Sequence, residues 1–298
     1  MPRTIIISDT HIPRQTMVRT AAELEPIIDS CDRLVVNGDL AETHKRDACE
    51  VVARELDTLR SLVESKGCEL VLLSGNHDPE ISPWRAAEFG GGRVLVTHGD
   101  AFHSSIAPWA KEAGIMRAEW MRIRNLHGGE ESIESRFDAV RGAAIAEWWH
   151  SPGCRGYSTT GSIVMRPWAL VRILRQWHVF PALARSFARR FFPDAEWVVV
   201  GHCHRKNIDR SSSPGVINTG AFGFPTRPLA VCLEGERLEV RRVVRGPDGR
   251  RMVDLGDPLL GDEIPDADAM HALHGPPPTM PPDSRSVPHV DFPAFDRG

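Results

Sequence analysis

The chain has 298 residues, of which 41% are hydrophobic, so it can bury a substantial core. Its formal net charge of -4 gives no broad basic footprint, which argues against a general nucleic-acid binder. No apolar run approaches the roughly 20 residues that a membrane-spanning helix needs. The six cysteines show no C-x-x-C pair, and the first predicted strand begins by Thr4, which leaves no room for a signal peptide. We therefore expect a cytoplasmic protein with reduced thiols.

Five short apolar runs rich in β-branched residues are too brief for amphipathic helices and predict strands buried on both faces. They cover residues 4–8, 34–37, 70–73, 94–97 and 197–200. Apolar residues at helical spacing predict helices at 17–28 and 43–66. Three later runs predict the closing meander of a second sheet, at 215–218, 229–233 and 238–240. An α/β fold, a four-layer αββα sandwich of two mixed sheets, accounts for this order.

A short polar cluster follows each of the five apolar runs. The clusters read D-T-H at 9–11, G-D at 38–39, G-N-H-D at 75–78, H-G-D at 98–100 and G-H-C-H at 201–204. They would place oxygen and imidazole ligands together on loops at strand ends. A single histidine in such a place is usually a capping or core residue, but the joint pattern predicts a two-metal site.

This order of motifs resembles the calcineurin-like metallophosphoesterase superfamily, whose pattern runs D-x-H, G-D, G-N-H, H and G-H-x-H. The resemblance spans about residues 4 to 204. The resemblance implies that one ion is held by Asp9, His11 and His204. It implies that the other ion is held by Asn76, His98 and His202, and that Asp39 bridges the two. Carboxylate, imidazole and amide donors suit two divalent ions of Mn, Fe or Zn. We take Mn as the first expectation, with Fe and Zn as alternatives.

The resemblance also implies an activity, that of a metal-dependent phosphoric ester hydrolase. Hydroxide bridging the two ions would attack phosphorus in line, without a protein nucleophile. His77 matches the family histidine that steadies the transition state or protonates the leaving oxygen, and we expect Asp78 to orient the His77 ring. Glu42 and Asp100 are weaker candidates for supporting roles. The pattern leaves a phosphate ester, a phosphodiester and a pyrophosphate open as substrates.

About 100 residues separate His98 from His202, far more than a connection between two strands needs. Helical patterns at 109–125, 133–149 and 167–192 predict a helical cap insertion at about 104–193, within a metallophosphoesterase domain of residues 1–245. Arginines and aromatics crowd its last part, with no acidic residue between Gly156 and Pro193. This profile is typical of a basic amphipathic helix that contacts a membrane surface. The alternative is a solvated face whose aromatics pack onto the domain.

A capped insertion at this place resembles the UDP-diacylglucosamine hydrolases of lipid A synthesis, which are lipid pyrophosphatases at the membrane surface. The substrate would then be lipid-linked rather than a phosphorylated small molecule. Those enzymes commonly carry arginine where this chain has His77. Two alternatives of other classes are a non-catalytic metal-binding regulatory module and a nuclease, although the net charge disfavours nucleic acid as a partner.

The composition changes after residue 245. Ten of the 23 prolines lie in residues 246–298, together with ten acidic residues and four arginines. Such a composition predicts a Pro-rich acidic tail that is poorly ordered or draped over the domain.

Overall fold

The computed structural model describes residues 3–43, 49–129, 131–150, 167–223 and 227–275. Strands β1 to β13 cover, in order, Arg3–Ile7, Arg33–Asn37, Glu69–Leu73, Ala86–Phe89, Val94–Thr97, Trp197–Val200, Asn207–Asp209, Gly215–Asn218, Leu229–Glu234, Arg237–Arg245, Arg251–Val253, Leu260–Glu263 and Met270–His274. Helices α1 to α5 cover Glu25–Ile28, Cys49–Ser65, Ala113–Leu126, Ile133–His150 and Pro167–Phe191. These elements form two mixed sheets with helices outside them, so the predicted αββα sandwich is confirmed.

The first sheet has the strand order β11-β10-β9-β1-β2-β3, and β12 also pairs with β10. Its central strands β1, β2 and β3 are parallel, with Ile5 opposite Leu34 and Leu34 opposite Leu70. Strand β9 joins the other side of β1 antiparallel. The run at 229–233 therefore belongs to the first sheet rather than to a closing meander of the second.

The second sheet has the strand order β13-β4-β5-β6-β8-β7. Strands β5, β6 and β8 run parallel to one another, with Leu95 opposite Val198 and Val198 opposite Val216. In both sheets, parallel strands end at the same edge, and the polar clusters of the sequence follow these ends. Topology thus brings distant motifs to one place.

The core between the sheets explains why the strands are almost continuously apolar. One set of side chains faces the other sheet, including Ile6, Val35, Val96, Val199 and Val231, all of them almost completely buried. The alternate residues of the first sheet pack against α1, α2 and the loops around them. A strand covered on both faces has no reason to alternate with polar residues.

The predicted helix at 17–28 is much shorter in the structure. A 3-10 turn at Ala21–Leu24 leads into α1, and Thr20 before it is extended, with φ of -139° and ψ of 151°. The chain therefore turns helical only after Thr20. Among the described residues, no helix has the length and hydropathy of a membrane span.

The insertion between β5 and β6 forms the fourth layer of the sandwich. Trp120, Phe137 and Phe187, from α3, α4 and α5, belong to one buried cluster with Val198 and Val216 of the second sheet. The sheet needs this cover because its outer face is apolar. In its described residues, the insertion predicted as a cap thus completes the core, and its inner edge borders the polar loops.

The prediction of a poorly ordered tail is wrong for residues 246–275. Strands β11 and β12 pair with β10, and β13 pairs with β4, so this segment extends both sheets. A few well-placed residues anchor it: Val253, Leu260 and Ile264 are buried, and the indole of Trp197 donates to the Asp262 carboxylate at 2.8 Å. The remainder of the predicted tail, 276–298, lies outside the described residues.

The arginines in the second half of α5 hold the fold together. Arg185 is buried, and its guanidinium donates to the carbonyls of Ser212 and Pro214 at 3.1 and 3.0 Å. It also pairs with the Asp209 carboxylate at 2.9 Å, which lowers the pKa of Asp209 to about 2. Arg189 donates to the Ser213 carbonyl. These groups anchor α5 to the loop before β8, so they are internal contacts rather than a free basic surface.

We predict that Arg185→Ala destabilises the protein by about 2–4 kcal/mol, because carbonyls and a carboxylate lose a buried charged partner. In a chain of this size that corresponds to a fall in Tm of about 3–6 °C. Thermal unfolding followed by circular dichroism measures it. The exposed Arg175 gives the matched control, since Arg175→Ala should change stability by less than about 0.5 kcal/mol. Equal Tm values for both variants would contradict the anchoring role.

Candidate metal centre

Loops at the ends of five strands bring the seven predicted ligands to one buried place. Asp9 and His11 follow β1, Asp39 follows β2, and Asn76 follows β3. His98 follows β5, and the loop after β6 supplies two more histidines. Six of the seven side chains are almost completely inaccessible, and only His204 is partly open to solvent.

Four of these residues form a tight group of donors. Asp9, His11, Asp39 and His204 each offer one ligand atom, and these atoms all lie within 4.8 Å of one another. The Nε2 atoms of His11 and His204 are 3.0 Å apart, and His204 Nε2 is 3.3 Å from Asp9 Oδ1. Three of them, Asp9, His11 and His204, are the set predicted for one metal ion.

The second predicted set adjoins the first through Asp39. His98 Nε2 is 3.3 Å from Asp39 Oδ2, while His11 Nε2 is 3.8 Å from the same oxygen. The rings of His98 and His202 lie 5.2 Å apart between centroids. One buried atom of this set, Asn76 Oδ1, has no hydrogen-bond partner among the described residues. Asp39 thus stands between the two sets, where a bridging ligand must be.

Backbone and carboxylate oxygens fix which nitrogen of each histidine is available. The Asn37 carbonyl lies 2.9 Å from His98 Nδ1, and the Ile106 carbonyl lies 3.1 Å from His202 Nε2. Since a carbonyl only accepts, each of these nitrogens carries a proton, and the opposite nitrogen is the one that can bind a cation once it is deprotonated. His11 Nδ1 lies 3.0 Å from the Glu42 carboxylate, which orients that ring in the same way. Such contacts are typical of ligating histidines.

The electrostatics of the cluster suit metal ligation. Burial lowers the pKa of His11 and lowers that of His202 to about 4, so both rings are neutral at pH 7. Burial opposes charge on Asp39 too, but His98 and His77 outweigh it and hold the pKa of this carboxyl well below its usual range. In return, Asp39 raises the pKa of His98 against the effect of burial. A cation bound at His98 Nε2 would replace the proton on that nitrogen as the partner of Asp39.

Asp78 does not take the position beside His77 that we predicted for it. Its oxygens instead accept backbone N–H groups from Asp39 at 3.0 Å, Gly75 at 2.9 Å and Ala41 at 3.2 Å. These bonds tie the β2 loop to the β3 loop, so Asp78 supports the site through the backbone.

Glu42 is the carboxylate that faces His77. Its Oε2 lies 3.5 Å from His77 Nδ1, and its Oε1 contacts His11 on the other side. His77 itself is 31% exposed and therefore stands at the open side of the cluster. Burial opposes its charge, but Asp39 and Glu42 raise the pKa of His77 to about 10. Asp100, the other weaker candidate, forms a buried ion pair with Arg85 at 2.9 Å.

The insertion adds residues to the site that no motif marks. The Ile106 carbonyl contacts His202, and the ring of Trp109 lies 5.4 Å from the His202 ring. Glu147 of α4 is half-buried, and burial, with the nearby Glu112, Asp39 and Glu42 carboxylates, raises its pKa to about 7 although His77 acts in the opposite direction. A single sequence offers no signal for such contacts because they depend on how the insertion docks.

Two small polar residues also support Asp9 without belonging to a motif. Ser8 donates from its hydroxyl to the Asp9 carboxylate, and its oxygen lies 2.6 Å from the Thr219 hydroxyl. The position of Ser8 directly before Asp9 is the only hint in the sequence, and Thr219 comes from the end of β8.

The backbone at the ligands is unusual. Asp9, His11, Asp39, His202 and His204 all have positive φ angles, between 50° and 67°. This left-handed region is uncommon for residues other than glycine. The ligand loops after β1, β2 and β6 therefore turn sharply to point their side chains inward.

Glycine is required where these loops approach one another. A Cβ on Gly75 would lie 2.2 Å from Asp39 Oδ1, and a Cβ on Gly201 would lie 2.2 Å from Asp9 Oδ2. The absence of a side chain at both positions lets the neighbouring loops pack directly against two acids of the site.

The residues present fit a pair of divalent cations. The donors are carboxylate oxygens, imidazole nitrogens with an available lone pair and one amide oxygen, which together suit Mn, Fe or Zn. Asn76 Oδ1, which has no hydrogen-bond partner among the described residues, belongs to this set. An unsatisfied buried polar atom is costly, and a metal ion would satisfy it.

Solved structures with similar folds have low sequence identity to this chain. A dimetal phosphatase from Danio rerio is 12% identical, with a TM-score of 0.46, over 89% of this chain and 100% of the other. A predicted phosphoesterase from Streptococcus pneumoniae is 15% identical, with a TM-score of 0.36, over 88% and 96%. Vps29 from Chaetomium thermophilum is 12% identical, with a TM-score of 0.41, over 89% and 96%. No curated protein sequence matches significantly.

A sequence-family match provides the assignment. The family described as calcineurin-like phosphoesterase matches residues 2–206, which is more than half of the chain and includes all seven predicted ligands. The chain therefore belongs to the calcineurin-like phosphoesterase family.

Proposed function

We propose that this protein is a binuclear metal-dependent hydrolase of phosphate esters, phosphodiesters or pyrophosphates. One observation carries the proposal: Asp39 Oδ2 lies between two sets of buried donors, 3.3 Å from His98 Nε2 and 3.8 Å from His11 Nε2. A purely structural cluster would gain little from two adjacent donor sets in which Asn76 Oδ1 stays unsatisfied.

In this proposal, Asp9, His11 and His204 hold one ion, while Asn76, His98 and His202 hold the other. Asp39 bridges them. Mn is our first choice, with Fe or Zn as alternatives. When bound, such ions lower the pKa of water toward neutrality and polarise phosphoryl oxygens.

The chain's own residues supply orientation and a proton. Glu42 stabilises the positions of two rings at once, since it contacts Nδ1 of both His11 and His77. His77 stands at the open side of the cluster, where a leaving group departs. With its Nδ1 facing Glu42, its Nε2 is the nitrogen that would donate a proton to the leaving oxygen.

We propose a phosphorylated small molecule in the cytoplasm, with a lipid-linked pyrophosphate of the UDP-diacylglucosamine type as the second candidate. The exposed apolar residues at the start of α5 favour the second candidate. Metal-reconstituted protein assayed on an aryl phosphate, an aryl phosphodiester and a nucleotide-diphospho-lipid would distinguish them. A metal-loaded protein inactive on all three would support the non-catalytic alternative.

We predict that Asp39→Asn lowers turnover by at least about 10–100-fold, the loss typical of disturbed metal ligation. It should also lower the bound metal, because one oxygen serves both donor sets. Metal analysis of purified protein and steady-state kinetics measure the two effects. Asp57→Asn, at an exposed position on α2, is the matched control and should retain the wild-type metal content and turnover. An Asp39→Asn variant with full metal and full rate would remove Asp39 from the site.

We predict that His77→Ala keeps its metal but loses rate, with a loss that depends on the leaving group. Nitrophenolate leaves without a proton, whereas an alkoxide needs one, so the loss should be smaller for the nitrophenyl ester. His127→Ala, at an exposed position on the insertion, serves as the control. If both esters slow equally, His77 has a role other than proton donation.

A further inference from the structure

The first half of α5 presents an exposed apolar strip. Val171 is 65% exposed, Leu174 51% and Leu170 46%. At about 100° per residue, these three side chains fall within roughly 100° of the helix circumference. Scattered exposed apolar residues are normal on proteins, but a contiguous strip of three large ones is not. We call this strip, together with Arg172 and Arg175, the α5 face.

Two arginines flank the strip on one side. Arg172 and Arg175 are both exposed, and neither forms an ion pair within the described residues. Within the part of the chain that the structure describes, Arg172 donates only to the Pro108 carbonyl, at 3.4 Å. The whole of α5 contains no acidic residue. This local positive charge contrasts with the arginines of the second half of α5, which bond to Asp209, Ser213 and Glu131.

The helix that carries the α5 face also contacts the metal centre. On the same helix, the indole of Trp177 donates to the Cys203 carbonyl at 2.8 Å, and Cys203 lies between the two ligand histidines of its loop. Phe180 lies 6.2 Å from the His202 ring between centroids. Trp177 is about 10 Å along the helix from Leu170. A surface that contacts the α5 face therefore lies near the ligand loop after β6.

We propose that the α5 face docks the protein on an anionic phospholipid surface. The charge is complementary, because two exposed arginines with no acidic neighbour on their helix attract anionic headgroups. The shape of the α5 face also fits a lipid surface. A helix face is convex, and the fluid boundary of a membrane adapts to a convex apolar strip, whereas a protein partner would need a groove of complementary shape. Arginine stems lie along apolar surface while their guanidinium groups reach the headgroups.

This docking is independent of the catalytic proposal, since it uses none of the metal ligands. It also uses only some of the arginines on α5. Arg185, Arg189 and Arg190 form internal contacts, so their replacement would report on stability. Arg172 and Arg175 are the basic residues available to headgroups.

The test is co-sedimentation of the full chain with vesicles at low and high salt. We expect binding to phosphatidylcholine vesicles that contain 30% of the anionic lipid phosphatidylglycerol. We expect little binding to vesicles of phosphatidylcholine alone. Because the attraction acts through exposed charges, 1 M salt should weaken it, as the Debye length falls to about 3 Å. Wild-type protein that does not sediment with anionic vesicles at low salt would overturn the proposal.

Matched variants separate charge from apolar contact. Arg172→Glu with Arg175→Glu should weaken partitioning by about 25-fold or more, since each basic residue near the surface contributes about fivefold. Val171→Ser with Leu174→Ser should weaken it while keeping the charge. The control is Arg54→Glu with Arg60→Glu, exposed on α2, which changes the net charge equally on the other sheet's helical layer and should bind as wild type.

Folding and self-association are measured on the same samples. All variants should keep the wild-type Tm and activity on a small soluble aryl ester, because the ligand loops are untouched. Equal binding by wild type and Arg172→Glu/Arg175→Glu would contradict the proposal. So would analytical ultracentrifugation showing a dimer that Val171→Ser/Leu174→Ser dissociates, since a second copy would then cover the face.

Discussion

The left-handed backbone at five ligand positions is the constraint on which the rest of this structure depends. Such conformations cost roughly 1–3 kcal/mol each and persist only where the surroundings enforce them. Loop-to-loop hydrogen bonds supply this enforcement: the N–H of His11 donates to the Asp39 carbonyl at 3.0 Å, and that of Gly201 to the His98 carbonyl at 3.0 Å. These bonds require the strands before the loops to be fixed in register, and two well-packed sheets provide that. All five residues are Asp or His, which tolerate this region better than most.

A second constraint is charge balance in a buried place. Carboxylates and imidazoles without solvent would be costly unless each has a partner of opposite charge or a cation. In this cluster Asp39 and His98 stabilise each other's charged form, as their opposite pKa shifts show. Removing either partner leaves the other as an unpaired buried charge. The same balance makes the site responsive to cations, because a divalent ion takes over the role of the protons on the imidazoles.

Much of the fold and of the candidate site could be predicted from the sequence, because short apolar runs and the polar residues that follow them are local signals. The five strands, the order of the layers and the residues that converge all came from such runs. The contacts that support the ligands were harder to predict from the sequence. Asp78 is adjacent to His77 in sequence and Glu42 belongs to a distant loop, yet the fold turns Glu42 toward the ring and Asp78 toward backbone N–H groups. The strands within 251–274 escaped prediction since their average composition hides a few buried residues such as Val253 and Leu260.

The insertion shows why charge counted along a sequence does not define a surface. Its last helix has basic residues in both halves, but these residues have different surroundings. Arg185 donates hydrogen bonds to buried carbonyls, whereas Arg172 and Arg175 are exposed beside apolar side chains. The difference follows from packing, since the second half lies against the second sheet and the loop before β8. A helix fixed at one end to the layer that carries the ligand loops presents its other end in a constant orientation to the metal centre. A surface contact made there would therefore orient the site as well as localise the protein.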